Sequence, residues 1–345
     1  VNLSLDLNDV KTIIQDFFQE NTVTIIGSGL SVAEGIPGMG SLSIELQDKL
    51  PDKISEKADV DNWKAISDRL KVGEGLEEAL HSQKPTSIVE EKIRETTAAF
   101  IRSAENEALN NVLSGAKQFR LSDYLQKFNI RNNGLTVITT NYDRLVEYSC
   151  EMNEIRVDTL FVGKFICQFS PDESKYSFCK SIYKLKGQSR VEYSPKVTVL
   201  KPHGCLSWYH INGCACSVPH LEKNNCLIIT PGINKYREGY NEPFDTHRAR
   251  ANAAIDTALR YIIIGYGFGD DHLETHLMRQ LNSNKPALIL TYSLSDKAVK
   301  VVKGCKNVIG ICNRDNGTLV INKDGESFFP DVNLWDIREM IKEVF

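Results

Sequence analysis

Residues 23–37 constrain this chain more than any other stretch. Val23-Thr24-Ile25-Ile26 is a β-branched run of strand length. Gly27-Ser28-Gly29 follows at once, then Leu30-Ser31 opens a helix-like stretch that reaches Glu34-Gly35-Ile36-Pro37. A strand, a glycine turn and a helix in that order form a nucleotide cradle. Glycines let the backbone approach a pyrophosphate, and the new helix directs free N–H groups and its positive dipole end at it. The same short turn also serves as a plain strand-to-helix connection, so the rest of the chain has to decide.

Three later segments bear on that decision: Val137–Leu145 (Val-Ile-Thr-Thr-Asn-Tyr-Asp-Arg-Leu), Val197–Gly204 (Val-Thr-Val-Leu-Lys-Pro-His-Gly) and Tyr261–Asp270 (Tyr-Ile-Ile-Ile-Gly-Tyr-Gly-Phe-Gly-Asp). Each is an apolar run of strand length that empties into polar or glycine residues. Ligands on open parallel sheets sit at the carboxyl ends of strands. Asn141, Asp143, His203 and the Gly265–Asp270 loop are therefore expected to converge on the crevice that holds Gly27–Ser31.

Taken together, these four segments resemble the sirtuin (Sir2) superfamily. The match consists of Gly-x-Gly-x-Ser-x-x-x-Gly-Ile-Pro at 27–37, Thr-x-Asn-x-Asp at 139–143, His-Gly at 203–204 and the glycine-rich end at 265–270. It covers roughly residues 20–40 and 135–290, and its specificity lies in the combination. The chain looks most like the bacterial Sir2-like NAD-consuming proteins of antiphage defence, rather than the protein deacylases. Deacylases usually carry Ala after the first glycine and Asp-Phe-Arg after Gly-Ile-Pro; here Ser28 and Gly38-Met39-Gly40 stand instead.

The implied fold is α/β, a Rossmann-like parallel sheet of the Sir2 type in a single domain over 1–345. Two additions are expected: a helical insertion over 40–130 and a small strand-rich module over 155–230, in place of a zinc module. Within the insertion, Ile93, Thr97, Ile101, Ala104, Ala108 and Val112 recur at three- and four-residue steps, which predicts a long amphipathic helix over Glu90–Leu113. Helices are also expected over 5–20, Leu70–Leu80, Leu121–Phe128, Phe244–Arg260, His272–Gln280 and from Leu334 to the end. The alternation Thr159, Phe161, Gly163, Phe165, Cys167, Phe169 predicts a strand or hairpin. Leu227–Thr230 and Ala287–Tyr292 read as further strands.

A net charge of −4 gives no electrostatic reason to expect general nucleic-acid or acidic-membrane binding. The first six residues lack the basic-then-apolar order of an export leader, and no apolar stretch approaches a membrane span. A chain that begins with Val is expected to start inside a longer protein. Its nine cysteines are expected to be reduced thiols in the cytoplasm. Cys205, Cys214, Cys216, His210 and His220 lie close in sequence, but Cys214-Ala215-Cys216 suits zinc poorly and no Cys-x-x-Cys exists. No metal is expected.

The candidate catalytic residues are Asn141 and His203. A neutral imidazole is suited to take a proton from a ribose hydroxyl, and the resemblance implies that general-base role for His203. A neutral amide orients a hydroxyl or water without adding charge, and the resemblance implies a place near the nicotinamide ribose for Asn141. Candidate cofactor-binding residues are Gly27, Ser28, Gly29, Ser31, Ile36, Pro37, Asp143, Gly265, Gly267 and Asp270. Asp143 can contact nicotinamide or a water, or cap the following helix; Asp270 or Asp271 can bind a ribose diol, or cap the next helix. Trp208 and Tyr209 can belong to a substrate groove or to the core.

The expected reaction is cleavage of the nicotinamide–ribose bond of NAD, to ADP-ribose or a cyclic product, with NAD as substrate. The rivals are an NAD-dependent protein deacylase and a non-catalytic NAD or ADP-ribose sensor. A hydride-transferring dehydrogenase expects a strand ending in an acid about twenty residues after the glycine turn; around Glu45 and Asp48 the chain reads as helix. The resemblance further implies a homo-oligomer or a partner defence protein such as an ATPase subunit. The amphipathic face of the 40–130 insertion is either a docking surface for another chain or a face that packs on its own core.

Overall fold

The computed structural model describes residues 5–130, 134–232 and 241–345. The framework is a nine-stranded sheet. In chain order its strands are β1 (Thr22–Ile26), β2 (Leu135–Thr139), β3 (Val157–Asp158), β8 (Val197–Leu200), β11 (Arg260–Ile264), β12 (Ala287–Leu290), β13 (Val308–Arg314), β14 (Gly317–Ile321) and β15 (Glu326–Pro330). Across the sheet the order is β15-β14-β13-β12-β11-β1-β2-β8-β3. All pairings from β3 through β13 are parallel, and β14 and β15 return antiparallel. The expected α/β class and Rossmann-like sheet are present.

The apolar runs form central strands because both faces of the sheet are covered. Alternate residues go to opposite sides: Ile262, Ile264, Leu288 and Leu290 enter one core cluster, and Tyr261, Ile263, Ala287 and Ile289 the other. On the first face lie α1 (Leu7–Asp16), α7 (Arg120–Gln126), the Leu145–Met152 helix and the C-terminal Ile337–Val344 helix. On the second lie the helices Phe244–Thr257, Asp271–Asn282 and Asp296–Gly304. β1 stands between β11 and β2, and the chain builds outward from it in both directions. A ligand crevice belongs at such a switch point, at the carboxyl ends of the strands.

The insertion is helical throughout but divides differently from expectation. After α2 (Ser28–Ala33) come α3 (Met39–Lys49), α4 (Lys57–Lys71), α5 (Leu76–Ser82) and α6 (Ser87–Leu113). The expected Leu70–Leu80 helix is broken because Gly73 takes φ +93°, a left-handed turn between α4 and α5. Leu42, Leu46, Trp63, Ile66, Leu80, Val89 and Ile93 form a core cluster within the insertion. Of the two readings of the amphipathic face, α6 follows the second: its apolar residues pack inside this chain. Ile93 joins the insertion cluster, while Ile101, Ala108 and Val112 pack with Leu206, Tyr209, Val218 and Ile228.

The 155–230 stretch is not one module. β3 and β8 belong to the main sheet, and β6 (Cys179–Leu185) with β7 (Gln188–Tyr193) forms a separate exposed hairpin. Only β4 (Phe161–Val162), β5 (Cys167–Phe169), β9 (Trp208–Ile211) and β10 (Cys214–Ser217) make a small antiparallel sheet. Leu227–Thr230 adds only an isolated bridge, Ile228 to Gly204, rather than a strand. Among the described residues, no three His, Cys, Asp or Glu side chains gather as a metal cluster, and no helix is long and apolar enough to cross a membrane.

Candidate active site

Two strand ends meet first. Gly27 N–H donates to Ile264 O and Gly29 N–H to Gly265 O, both at 2.9 Å, so the turn after β1 is stitched to the turn after β11. A Cβ on Gly27 would lie 2.5 Å from Gly265 O, and one on Gly29 would lie 2.7 Å from Gly265 Cα. Gly265 has φ +58°, and its own Cβ would meet Leu30 N at 2.6 Å. The space these glycines leave is therefore filled by backbone. Gly29 and Gly265 do not line the crevice, whereas Gly27, Ser28, Ser31, Ile36, Pro37, Asn141, Asp143, His203, Gly267 and Asp270 all do.

The loop after β2 is locked onto this turn by side chains. Asn141 Nδ2 donates to Gly27 O at 2.9 Å and to Ser31 Oγ at 2.8 Å. Ser31 Oγ donates in turn to Asp143 Oδ2 at 2.6 Å, and Asp143 Oδ1 accepts from Leu145 N at 3.3 Å, capping the Leu145–Met152 helix. A carbonyl only accepts, so the partner Gly27 O identifies the nitrogen of the Asn141 amide. With both amide hydrogens committed, the amide has only Oδ1, an acceptor, to offer a ribose hydroxyl or a water. Burial pushes the Asp143 carboxyl above its usual range, against the opposing Lys201 charge and the Ser31 hydrogen bond.

His203 follows β8, with its backbone oxygen accepting from Ile229 N at 2.9 Å. Its Nε2 is paired with Asp270 Oδ2. Asp270 also caps the Asp271–Asn282 helix by accepting from Leu273 N at 3.2 Å. The Asp271 side chain lies outside the described residues. Trp208 and Tyr209 are core: Trp208 packs on Phe161 and Phe244, and the Tyr209 hydroxyl donates to Leu221 O at 2.7 Å.

Several contributors escaped the sequence reading. Thr140, Tyr142, Tyr266 and Pro231 line the crevice, and Met39, Leu42, Glu77 and Ile101 bring the insertion to its wall. Lys201, 1% exposed, donates from Nζ to Asp143 O at 2.6 Å and lies 3.3 Å from Glu147. Arg144 is held bidentately by Glu105 of α6. The signal for Glu105 was present: an acid spaced between Ile101 and Ala108 stands on the buried stripe of a helix.

Behind Lys201 sits His247, fully buried and tilted against Trp208 at 4.6 Å between ring centroids. Its Nδ1 accepts from Lys201 N at 3.2 Å. Burial, then the Lys201 and Arg250 charges, depress its pKa to about 3; Asp158 opposes them. The unfolded chain takes up this proton near pH 6.5 and the folded chain does not. Stability present above that pH is therefore lost as pH falls, at about 1.4 kcal/mol per pH unit. Urea unfolding at pH 7 and pH 5 should show His247→Gln losing less stability than the parent on acidification; equal losses would remove this assignment.

Comparison with known proteins adds one family. Residues 135–286 match the SIR2-like domain. That segment holds Asn141, Asp143, His203, Gly265, Gly267 and Asp270. A search of curated proteins finds no match. Similar solved structures include one described as the structural basis of sirtuin substrate affinity, with 14% identity, a TM-score of 0.44, and 99% of this chain and 98% of that one covered. Another is Sir2Tm bound to a propionylated peptide, with 15% identity, a TM-score of 0.39, and 85% and 89% covered. A third is Sir2 with a p53 peptide and NAD+, with 12% identity, a TM-score of 0.37, and 99% and 97% covered.

Proposed function

We propose that the chain is an NAD glycohydrolase that breaks the nicotinamide–ribose bond and passes the ribosyl carbon to water or to an internal acceptor. The observation that carries this reading is the chemistry of the crevice wall. Its acidic lining residues are Glu77, Asp143 and Asp270, beside His203, with no lysine or arginine among the described lining residues. Such carboxyl groups suit the cationic nicotinamide ribose and an oxocarbenium-like centre. Asn141 Oδ1 would orient a ribose hydroxyl or the attacking water, and His203 would accept the proton. NAD is the substrate, so no further cofactor enters the step.

The SIR2-like match over 135–286 supports an NAD-related activity. Depletion of NAD as a defence output, through an assembly or a partner subunit, extends the same proposal. Incubating the purified chain with NAD and identifying products by mass tests it. Free nicotinamide with ADP-ribose or its cyclic form is expected. Nicotinamide released only when an acylated peptide is present would replace this reading with the deacylase.

Asn141→Ala should lower turnover about 10²-fold, as loss of one oriented polar group does, while calorimetry still detects NAD binding. Parent turnover in this variant would remove Asn141 from the chemistry.

A further inference from the structure

We infer that Asp270 is the positioning residue of His203: a carboxylate that fixes the imidazole's orientation and tautomer, leaving Nδ1 as the nitrogen that takes the proton. The inference rests on the proposed NAD cleavage at this site.

The two residues come from the ends of β8 and β11, which stand on opposite sides of β1 and β2, so their pairing spans the crevice. Neither is loosely held. Asp270 is 6% exposed, its Oδ1 accepts from Leu273 N, and its own N–H donates to Glu274 Oε1 at 2.9 Å. It also stands at the start of the Asp271–Asn282 helix, whose positive end favours an ionised carboxylate. His203 is pinned through its backbone by Ile229. The next residue, Gly204, has φ +90°, and a Cβ there would lie 2.1 Å from Leu227 O. Asp270 therefore fixes the ring on a backbone that is already fixed.

An ionised carboxylate only accepts, so the Nε2 it faces must carry the hydrogen. The neutral imidazole then keeps its lone pair on Nδ1. In the reaction the C1′–N bond breaks and nicotinamide leaves as a neutral base with the bonding pair. Water oxygen bonds to C1′ and gives one proton to Nδ1. The resulting imidazolium lies beside Asp270, which stays ionised, and the proton is later released to solvent. Binding NAD does not require this pair; proton transfer does.

Asp270→Asn tests the role. Asparagine keeps an acceptor for Leu273 N–H but presents an amide N–H to Nε2, which moves the ring hydrogen to Nδ1 and removes the base. Turnover should fall about 10²–10⁴-fold with NAD affinity retained, and Asp270→Glu should recover part of the loss. The Asp270→Asn/His203→Ala double variant should be no slower than His203→Ala alone, because the acid acts through the base. Losses that multiply in the double variant would overturn the proposal. Nitrogen NMR of the wild-type imidazole needs neither a variant nor activity: hydrogen on Nε2 is expected, and hydrogen on Nδ1 would overturn it. A wild-type chain that leaves NAD intact yet shows the Nε2 tautomer would defeat the proposed reaction and, with it, the catalytic role, while leaving the pairing itself established.

Discussion

Replacing His203 by alanine is expected to lower NAD cleavage by about 10²–10⁴-fold, the usual cost of removing a positioned base. The fold should survive the change. The backbone contacts of position 203 run through its carbonyl oxygen, which accepts from Ile229 N and is kept in alanine. The lost side chain is half-buried at the crevice and contributes to none of the hydrophobic core clusters. Asp270 loses its imidazole partner but keeps Leu273 N–H and the helix end, so its charge is not stranded. Product analysis by mass, beside a thermal melt, checks both halves. A folded His203→Ala protein that turns over NAD at the parent rate would show that the base lies elsewhere.

The sheet was legible because its central strands are buried on both faces. That burial writes an unbroken apolar run such as Tyr261–Ile264. Where each run ended was legible too, and the parallel order then brings Gly27, Asn141, His203 and Asp270 to one rim. The antiparallel end β13–β15 was missed, although Asp315-Asn316-Gly317 is a tight-turn signal between two apolar runs. Partner choice was not legible. Sequence could not tell that Gly27 and Gly29 make room for Gly265 rather than for a ligand alone, because that contact joins strands separated by more than 200 residues. Nor does a 3.6-residue periodicity say whether a helix face meets another protein or its own domain; α6 meets its own.

That helix carries the second large effect expected here. Glu105, fully buried on α6, accepts from Arg144 N at 2.5 Å and from Arg144 Nε at 3.1 and 3.0 Å, and also pairs with Nη2. Arg144 Nη1 donates to Pro219 O at 2.5 Å. One turn earlier on α6, Arg102 donates to Leu206 O at 3.0 Å and to Asn224 Oδ1 at 2.8 Å. The helix thus ties the insertion to the loop that carries Asn141 and to the small sheet beyond it. Removing one partner of a buried pair leaves an uncompensated charge, and Glu105→Leu is expected to lose about 3–5 kcal/mol. Pairing it with Arg144→Met removes the stranded guanidinium and should restore part of that loss, though the Arg144 backbone N–H still lacks its acceptor. Urea unfolding of the single and double variants decides the point. A loss below about 1 kcal/mol in the single variant would place the pair among weak, solvent-screened contacts. The double variant also separates stability from activity: if Glu105 anchors the Asn141 loop, turnover stays low after stability has recovered.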